Sequence, residues 1–283
     1  MISVKNLYYT YPAATAPTLK QLNFDIDKGE IFGFLGPSGA GKSTCQKILY
    51  KIINNYDGEI SIKGKSLDVW GKEYFEQIGV GFELPNHYGK LSAKENLELF
   101  AGFYRKEKLR PIVSLLEMVG LEKDINKPVD SFSKGMKMRL NFVRAIMHDP
   151  DILFFDEPTA GLDPVNGHLM KKHILDLKAK GKTIFITTHD MTIADELCDR
   201  VSFIVDGEIV VTEEPEKLKT QYGNNVVTVE LQNGNRSDFS LEKLGVNTAF
   251  QEFLKQGEVL RIHTQEATLE KVFIEVTGKT LKV

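Results

Sequence analysis

The run Gly36-Pro37-Ser38-Gly39-Ala40-Gly41-Lys42-Ser43-Thr44 follows an apolar stretch that ends at Phe34-Leu35. Two fixed glycines, then Lys, then Ser, is the spacing of a phosphate-cradling loop. The glycines let the backbone curl so that successive N–H groups point inward, and a helix starting behind them adds the positive end of its dipole. Lys42 is placed to reach the β- and γ-phosphates of a nucleoside triphosphate, and the Ser43 hydroxyl to ligate Mg²⁺. A second chemical feature is Ile152-Leu153-Phe154-Phe155-Asp156-Glu157-Pro158. A buried strand delivers Asp156 beside the cation, where it completes the coordination sphere with Ser43. Glu157, at the strand tip, is the expected general base for the attacking water. His189, in Thr187-Thr188-His189-Asp190, ends another apolar strand and is expected to touch the γ-phosphate and hold the water geometry.

Those groups need strands to carry them. Residues 1–35 alternate in period two (Ile2, Val4; Phe24, Ile26; Ile31, Gly33, Leu35) around an Asp27-Lys28-Gly29-Glu30 turn, which reads as antiparallel strands feeding the loop. Cys45 to Ile53 reads as the helix behind it, and Glu59-Ile60-Ser61-Ile62 before Lys63-Gly64 as a further strand and turn. From Ala93 to about Met147 the pattern is helical (Leu97, Phe100, Ala101, Tyr104; then Ile112, Leu115, Leu116, Val119), with Gly120 suited to end the second helix. Ile152–Phe155 and Thr183–Ile186 are short continuous apolar runs that suit buried parallel strands, separated by a helix from Pro164 to Ala179. After Pro215 and a polar stretch at Gly223-Asn224-Asn225, Val226–Leu231 and Val259–His263 read as strands and Ala267–Val276 as a helix.

A chain of 283 residues accommodates one large domain and a smaller one. A net charge of −3 leaves no basic stripe for bulk nucleic-acid binding, so no nucleic acid is expected as a partner; the basic run from Lys134 to Arg139 reads as a solvated face. No apolar run reaches the roughly 18 to 20 residues of a membrane helix, and Met1-Ile2-Ser3-Val4-Lys5 lacks the layout of a signal peptide. A cytoplasmic chain follows, unless a partner holds it on a membrane. Cys45 and Cys198 form neither a disulfide framework nor a metal spacing. Cys45 sits where a helix N-terminus can lower a thiol's pKa, although a small packed residue is the plainer reading.

Between the two nucleotide motifs lies Ser131-Phe132-Ser133-Lys134-Gly135-Met136-Lys137-Met138-Arg139-Leu140. With it the chain resembles the ATP-binding cassette (ABC) ATPases, whose signature motif is usually spelled Leu-Ser-Gly-Gly-Gln. Ser133 and Gly135 match, while Lys134 and Met136 depart; the Ser-x-Gly-Met spelling resembles the branch that serves export-type permeases. The resemblance covers residues 1 to about 215 with six motifs in order. It implies an α/β fold: a P-loop RecA-like nucleotide-binding core with an antiparallel β subdomain, a helical insert at about 84–150 and a small C-terminal α+β appendage. The implied domains are an ATPase domain at 1–220 and an accessory domain at 221–283. It also implies a head-to-tail dimer, with itself or a paralogous ATPase, in which Ser133, Gly135 and Met136 grip ATP held by the other subunit. Asp163, in Ala160-Gly161-Leu162-Asp163, resembles the residue that carries signals between the two sites, and Tyr11 the aromatic that stacks on adenine, with Tyr8 or Tyr9 as competitors. Ungapped alignment to the family places Glu83, in Ile78-Gly79-Val80-Gly81-Phe82-Glu83-Leu84-Pro85, where a metal-ligating Gln normally stands. A carboxylate also ligates Mg²⁺; the alternative reading is that Glu83 points to solvent and a water fills the role.

Asn126-Lys127-Pro128-Val129-Asp130 is one residue too long for a guanine-specifying motif, so ATP with Mg²⁺ is expected. The implied function is the ATP-hydrolysing subunit of a transporter, peripheral on the inner face of the cell membrane through a separate multi-span permease. Lys94-Glu95-Asn96-Leu97 and Thr268-Leu269-Glu270-Lys271-Val272-Phe273 resemble stretches of exporter ATPases, which favours export over import. The alternative is a soluble ATP switch on ribosomes or DNA. Those relatives carry two cassettes or a long coiled-coil insert, and neither is seen here.

Overall fold

The structure, a computed structural model, describes residues 1–222, 226–265 and 267–279. The expected polar connection Gly223–Asn225 lies outside the described residues. Two compact units divide at Glu213/Glu214, so the helix that follows falls in the second unit, ahead of the 220/221 boundary expected from sequence.

In the first unit β1 (Ile2–Tyr9) and β2 (Leu19–Ile26) pair antiparallel, with Ile2 opposite Ile26 and Val4 opposite Phe24. β3 (Ile31–Leu35) runs into the phosphate loop, and α1 (Lys42–Leu49) starts behind it. β4 (Asp57–Ile62) and β5 (Lys65–Ser66) complete a four-stranded sheet in the order β2-β1-β4-β5. β6 (Ile78–Gly81) precedes the helical insert of α2 (Ala93–Ala101), α3 (Ile112–Met118) and α4 (Lys134–Ile146). Ser92 and Glu95 close a capping box on α2, and Ser133 caps α4 by accepting the Met136 N–H. Gly120 ends the second helix as expected, at φ +66°, just past the cap of α3. There follow β7 (Ile152–Asp156), α5 (Pro164–Ala179), β8 (Thr183–Thr188), α6 (Met191–Leu197), β9 (Arg200–Val205) and β10 (Glu208–Glu213).

The larger sheet has the order β10-β9-β3-β8-β7-β6 and is parallel except for β10. This order brings the motifs together. The carboxyl ends of β3, β8 and β7 lie side by side, and they carry the phosphate loop, Thr188-His189 and Asp156-Glu157. Parallel sheets bind ligands at those ends. Phe24, Phe32, Phe34, Phe154 and Phe185 interlock between the two sheets at centroid separations from 5.5 to 6.1 Å. Full burial of each ring contributes roughly 1.5–3 kcal/mol, which fixes the strand ends relative to one another.

One expectation is corrected. β3 is not a third antiparallel strand after β1 and β2; it pairs parallel with both β8 and β9. The period-two spelling misleads because all five of its residues are buried. Phe32 and Phe34 fill the positions between Ile31, Gly33 and Leu35, so both faces are apolar, and Gly33 is needed for room, since a Cβ there would lie 2.8 Å from Cys198 Sγ.

The second unit contains α7 (Pro215–Tyr222), β11 (Val226–Leu231), β12 (Arg236–Ser240), α8 (Thr248–Leu254), β13 (Val259–Gln265) and α9 (Leu269–Thr277). Its antiparallel sheet has the order β12-β11-β13, and Phe239, Phe250 and Phe253 pack on Val227, Val229 and Leu231. Among the described residues no helix is long and apolar enough to cross a membrane.

Candidate functional site

The phosphate loop is built by glycines with distinct jobs. A Cβ on Gly36 would sit 2.1 Å from the Ile204 carbonyl oxygen, so the loop enters through a gap only glycine fits. Gly39 and Gly41 adopt left-handed φ of +82° and +108°, and Gly41 caps α1. Ala40 and Thr44 are buried, Pro37 and Ser43 half-buried, and Ser38 and Gly39 exposed, so the loop's crest faces solvent. Lys42 turns back into the loop: its Nζ donates to Gly36 O at 2.6 Å and Pro37 O at 3.1 Å. Burial pulls the ammonium below the usual lysine range, while the charges of Glu157, Asp156 and Glu83 push the other way. Three carboxylates therefore converge electrostatically on Lys42. The Tyr11 hydroxyl lies 3.2 Å from Thr44 Oγ1, and its ring packs edge-on against Tyr9 at 4.9 Å. That places Tyr11 beside the first turn of α1.

Glu157 is held in a left-handed conformation, φ +49°, which costs a non-glycine residue about 1–2 kcal/mol. Several bonds impose it. Its N–H donates to Thr187 O at 2.9 Å, Thr188 Oγ1 donates to Oε2 at 2.8 Å, and the His189 N–H donates to Oε1 at 2.9 Å. His189 Nδ1 is 2.6 Å from the same Oε1. An ionised carboxylate only accepts, so Nδ1 carries the hydrogen, leaving Nε2 on the far side of the ring for another partner. The imidazole is half exposed while the carboxylate is nearly covered. Asp156 accepts from Thr187 Oγ1. The strand end is steadied by Gln46, whose Nε2 donates to Phe155 O at 3.2 Å. Thr187, Thr188 and Gln46 were missed as site residues, although the two threonines stand directly before His189 in sequence.

Glu83 is exposed, just beyond β6, and its charge reaches Lys42. Ser43, Asp156 and Glu83 are hard oxygen donors around that lysine and fit a hard divalent cation. Among the described residues no cluster of three or more His, Cys, Asp or Glu stands ready to hold a metal alone. Mg²⁺ typically uses one or two carboxylates together with substrate phosphates, and the donor set suits that mode.

Ser133, Gly135 and Met136 form the exposed to half-buried start of α4. The start of α4 packs on the turn that carries Asp163: a Cβ on Gly135 would meet Leu162 Cδ2 at 3.4 Å, and the Lys134 stem covers Gly161. Asp163 caps α5, accepting from the N–H groups of Val165 at 3.1 Å and Asn166 at 3.0 Å. These bonds hold its carboxyl below the usual range, the Asn166 side chain contributing most. Cys45 is fully buried and its thiol is pushed up by burial, which leaves it the packed residue of the plainer reading.

The family model described as ABC transporter matches residues 19–160. The chain is 47% identical to a fluoroquinolones export ATP-binding protein of Mycobacterium tuberculosis, over 99% of this chain and 94% of that one. It is 32% identical to the bacitracin transport ATP-binding protein of Bacillus licheniformis, covering 97% of both, and 35% identical to a Nod factor export ATP-binding protein I of Sinorhizobium fredii, covering 93% and 82%. Among solved structures, an ATP-binding subunit of an ABC transporter superposes with a TM-score of 0.71 at 30% identity, covering 79% of this chain and 93% of that one. A cassette in a dimeric post-hydrolysis state bound to ADP and Pi superposes with a TM-score of 0.69 at 29% identity, covering 76% and 98%.

Proposed function

The chain belongs to the ABC transporter family and is an ATPase, and on that premise we propose that it is the ATP-hydrolysing subunit of an exporter whose permease is a separate membrane protein. The observation that carries this reading is the likeness to the fluoroquinolones export protein, which runs through the C-terminal unit as well as the cassette. The similar proteins are named for different cargoes: fluoroquinolones, bacitracin and Nod factor. Cargo choice therefore rests with the permease.

The residues divide the work. Lys42 and the loop amides take the phosphates of ATP, while Tyr11 stacks on the adenine. Mg²⁺, when bound, neutralises phosphate charge, and Ser43, Asp156 and Glu83 would hold it. Glu157 takes the proton of the attacking water, and His189 keeps Oε1 aimed while its Nε2 meets the γ-phosphate. Ser133 and Gly135 serve the ATP of the other subunit in a head-to-tail dimer, as the dimeric cassette among its structural neighbours suggests. The partner is a second copy or a paralogous ATPase.

A groove of about 800 Å³ opens beside Glu83, lined by Phe82, Leu84, Tyr88, Phe100, Tyr104 and Arg144. Exposed Leu84 and Tyr88 lie in it, with Phe103 exposed nearby in the chain. Such an apolar patch suits the cytoplasmic segment of a permease. Docking there holds the subunit on the inner face of the membrane and passes motion through residues 83–96.

Affinity purification of the Glu157→Gln chain with ATP from detergent-solubilised membranes tests the reading. A multi-span membrane protein should copurify in fixed ratio. Ribosomal or DNA-bound proteins in its place would remove the transport reading and leave the ATPase chemistry intact.

A further inference from the structure

Three side chains or carbonyls on one stripe of α4 hold the segment that contains Glu83. Asn141 Nδ2 donates to Phe82 O at 2.8 Å, Arg144 Nη1 donates to Asn86 O at 2.8 Å, and His87 Nε2 lies 3.1 Å from Lys137 O. Positions 137, 141 and 144 recur at one-turn spacing, so they share a face. Asn141 is 1% exposed, and its amide is fully used, because Oδ1 accepts from Arg144 Nη2 at 2.7 Å. The Arg144 guanidinium is buried, pairs with no carboxylate among the described residues, and lies over the Phe82 and Phe100 rings at 5.7 and 4.8 Å. An amide can donate to Phe82 O and accept from Arg144 at once, which an ionised carboxylate of the same shape cannot.

The held carbonyl belongs to the residue immediately before Glu83. A buried bond there sets the direction in which the chain leaves β6, and so where the Glu83 carboxylate lands. Glu83 has no helix or strand of its own to fix it. We infer that Asn141 is a positioning residue that holds Glu83 at the metal through the Phe82 carbonyl, joining it to the helix that Ser133 begins. The inference rests on the metal role proposed for Glu83. It gives a sequence departure a structural partner: a carboxylate needs tighter placement than a neutral amide, because misdirected it would oppose the phosphates or draw on Lys42 instead.

Asn141→Asp is the sharp substitution. It is isosteric and still accepts from Arg144, but it loses the donor to Phe82 O. The readout is the Kd of Mn²⁺ for the full-length chain loaded with ATPγS, titrated by EPR, in wild type, Asn141→Asp, Glu83→Ala and the double variant. Circular dichroism checks folding, and Asn141→Ala replaces Asn141→Asp if the latter does not fold. Metal sites lose roughly 10- to 100-fold in affinity when the group behind a ligand is removed, and Asn141→Asp should fall in that range. The double variant should be no weaker than Glu83→Ala alone. Unchanged Mn²⁺ affinity in Asn141→Asp, or additive losses in the double variant, overturns the positioning role while leaving Glu83 a ligand. A silent Glu83→Ala removes both that ligand and this inference.

Discussion

Glu157 Oε1 takes two hydrogen bonds from one residue, the backbone N–H of His189 at 2.9 Å and its Nδ1 at 2.6 Å. The pairing joins the end of β7 to the end of β8 across the parallel ladder in which Asp156 faces Thr187. The carboxylate cannot rotate without breaking both, so the expected base is aimed by bonds within the protein itself.

Glu157→Gln should slow hydrolysis by about 10²- to 10⁴-fold, the usual contribution of a positioned base. Gln retains an acceptor for the His189 N–H, so ATP binding should persist. Single-turnover phosphate release together with ATP retention on gel filtration measures both. Hydrolysis at the wild-type rate would exclude Glu157 as the base.

His189→Ala removes the Nδ1 contact but keeps the backbone bond. With the base left partly free, kcat should drop about 10²-fold, the scale of a misplacement near 1 Å, while the Kd for ATP stays within about threefold because Lys42 and the loop amides are untouched. A large loss of ATP affinity instead would assign His189 to ground-state binding.

Two glycines of the loop should separate steric from conformational demand. In Gly39→Ala the new Cβ meets nothing within 4 Å, so only the left-handed φ of +82° is penalised, at about 1–2 kcal/mol. In Gly36→Ala the Cβ would stand 2.1 Å from Ile204 O, and backbone must move. Thermal unfolding should show a modest Tm shift for Gly39→Ala and a much larger one, or no folded protein, for Gly36→Ala. Equal shifts would contradict the close approach.

Burial first, then the neighbouring charge of Arg144, depresses His87 to about 4. Its unfolded value is near 6.5. Between those values the unfolded chain binds a proton that the fold refuses, so stability falls as pH drops from about 6.5 towards 4 and is unaffected above that window. His148 and His173, also lowered by burial, act in the same direction. Gln at position 87 can still donate to Lys137 O and does not titrate. Denaturant unfolding at pH 7 and 4.5 should show His87→Gln losing less stability than wild type by on the order of 1–3 kcal/mol. Parallel losses would exclude His87 from the linkage.

The strand ends that carry the candidate site were legible because each motif couples an apolar run to a polar terminus: Phe34-Leu35 before the loop, Phe154-Phe155 before Asp156, Ile186 before Thr187. The pairing of β3 was not, since a strand buried on both faces does not advertise its neighbours. β12 was overlooked because only Phe239 among Arg236–Ser240 is a large apolar residue, and it faces the small core of α8. The strained φ of Glu157 leaves no trace in composition. Neither does the bond from Asn141 to Phe82 O, which links residues 59 positions apart.

Lys42 Nζ donates to the Gly36 and Pro37 oxygens of its own loop at 2.6 and 3.1 Å. The loop therefore closes on itself, with its ammonium tied to the turn that its glycines open. A change that bends the backbone at Gly36, beside the Ile204 oxygen, or at Gly41, where α1 is capped, carries the ammonium with it. Charge placement and backbone shape are one property in this loop, and neither can be altered alone.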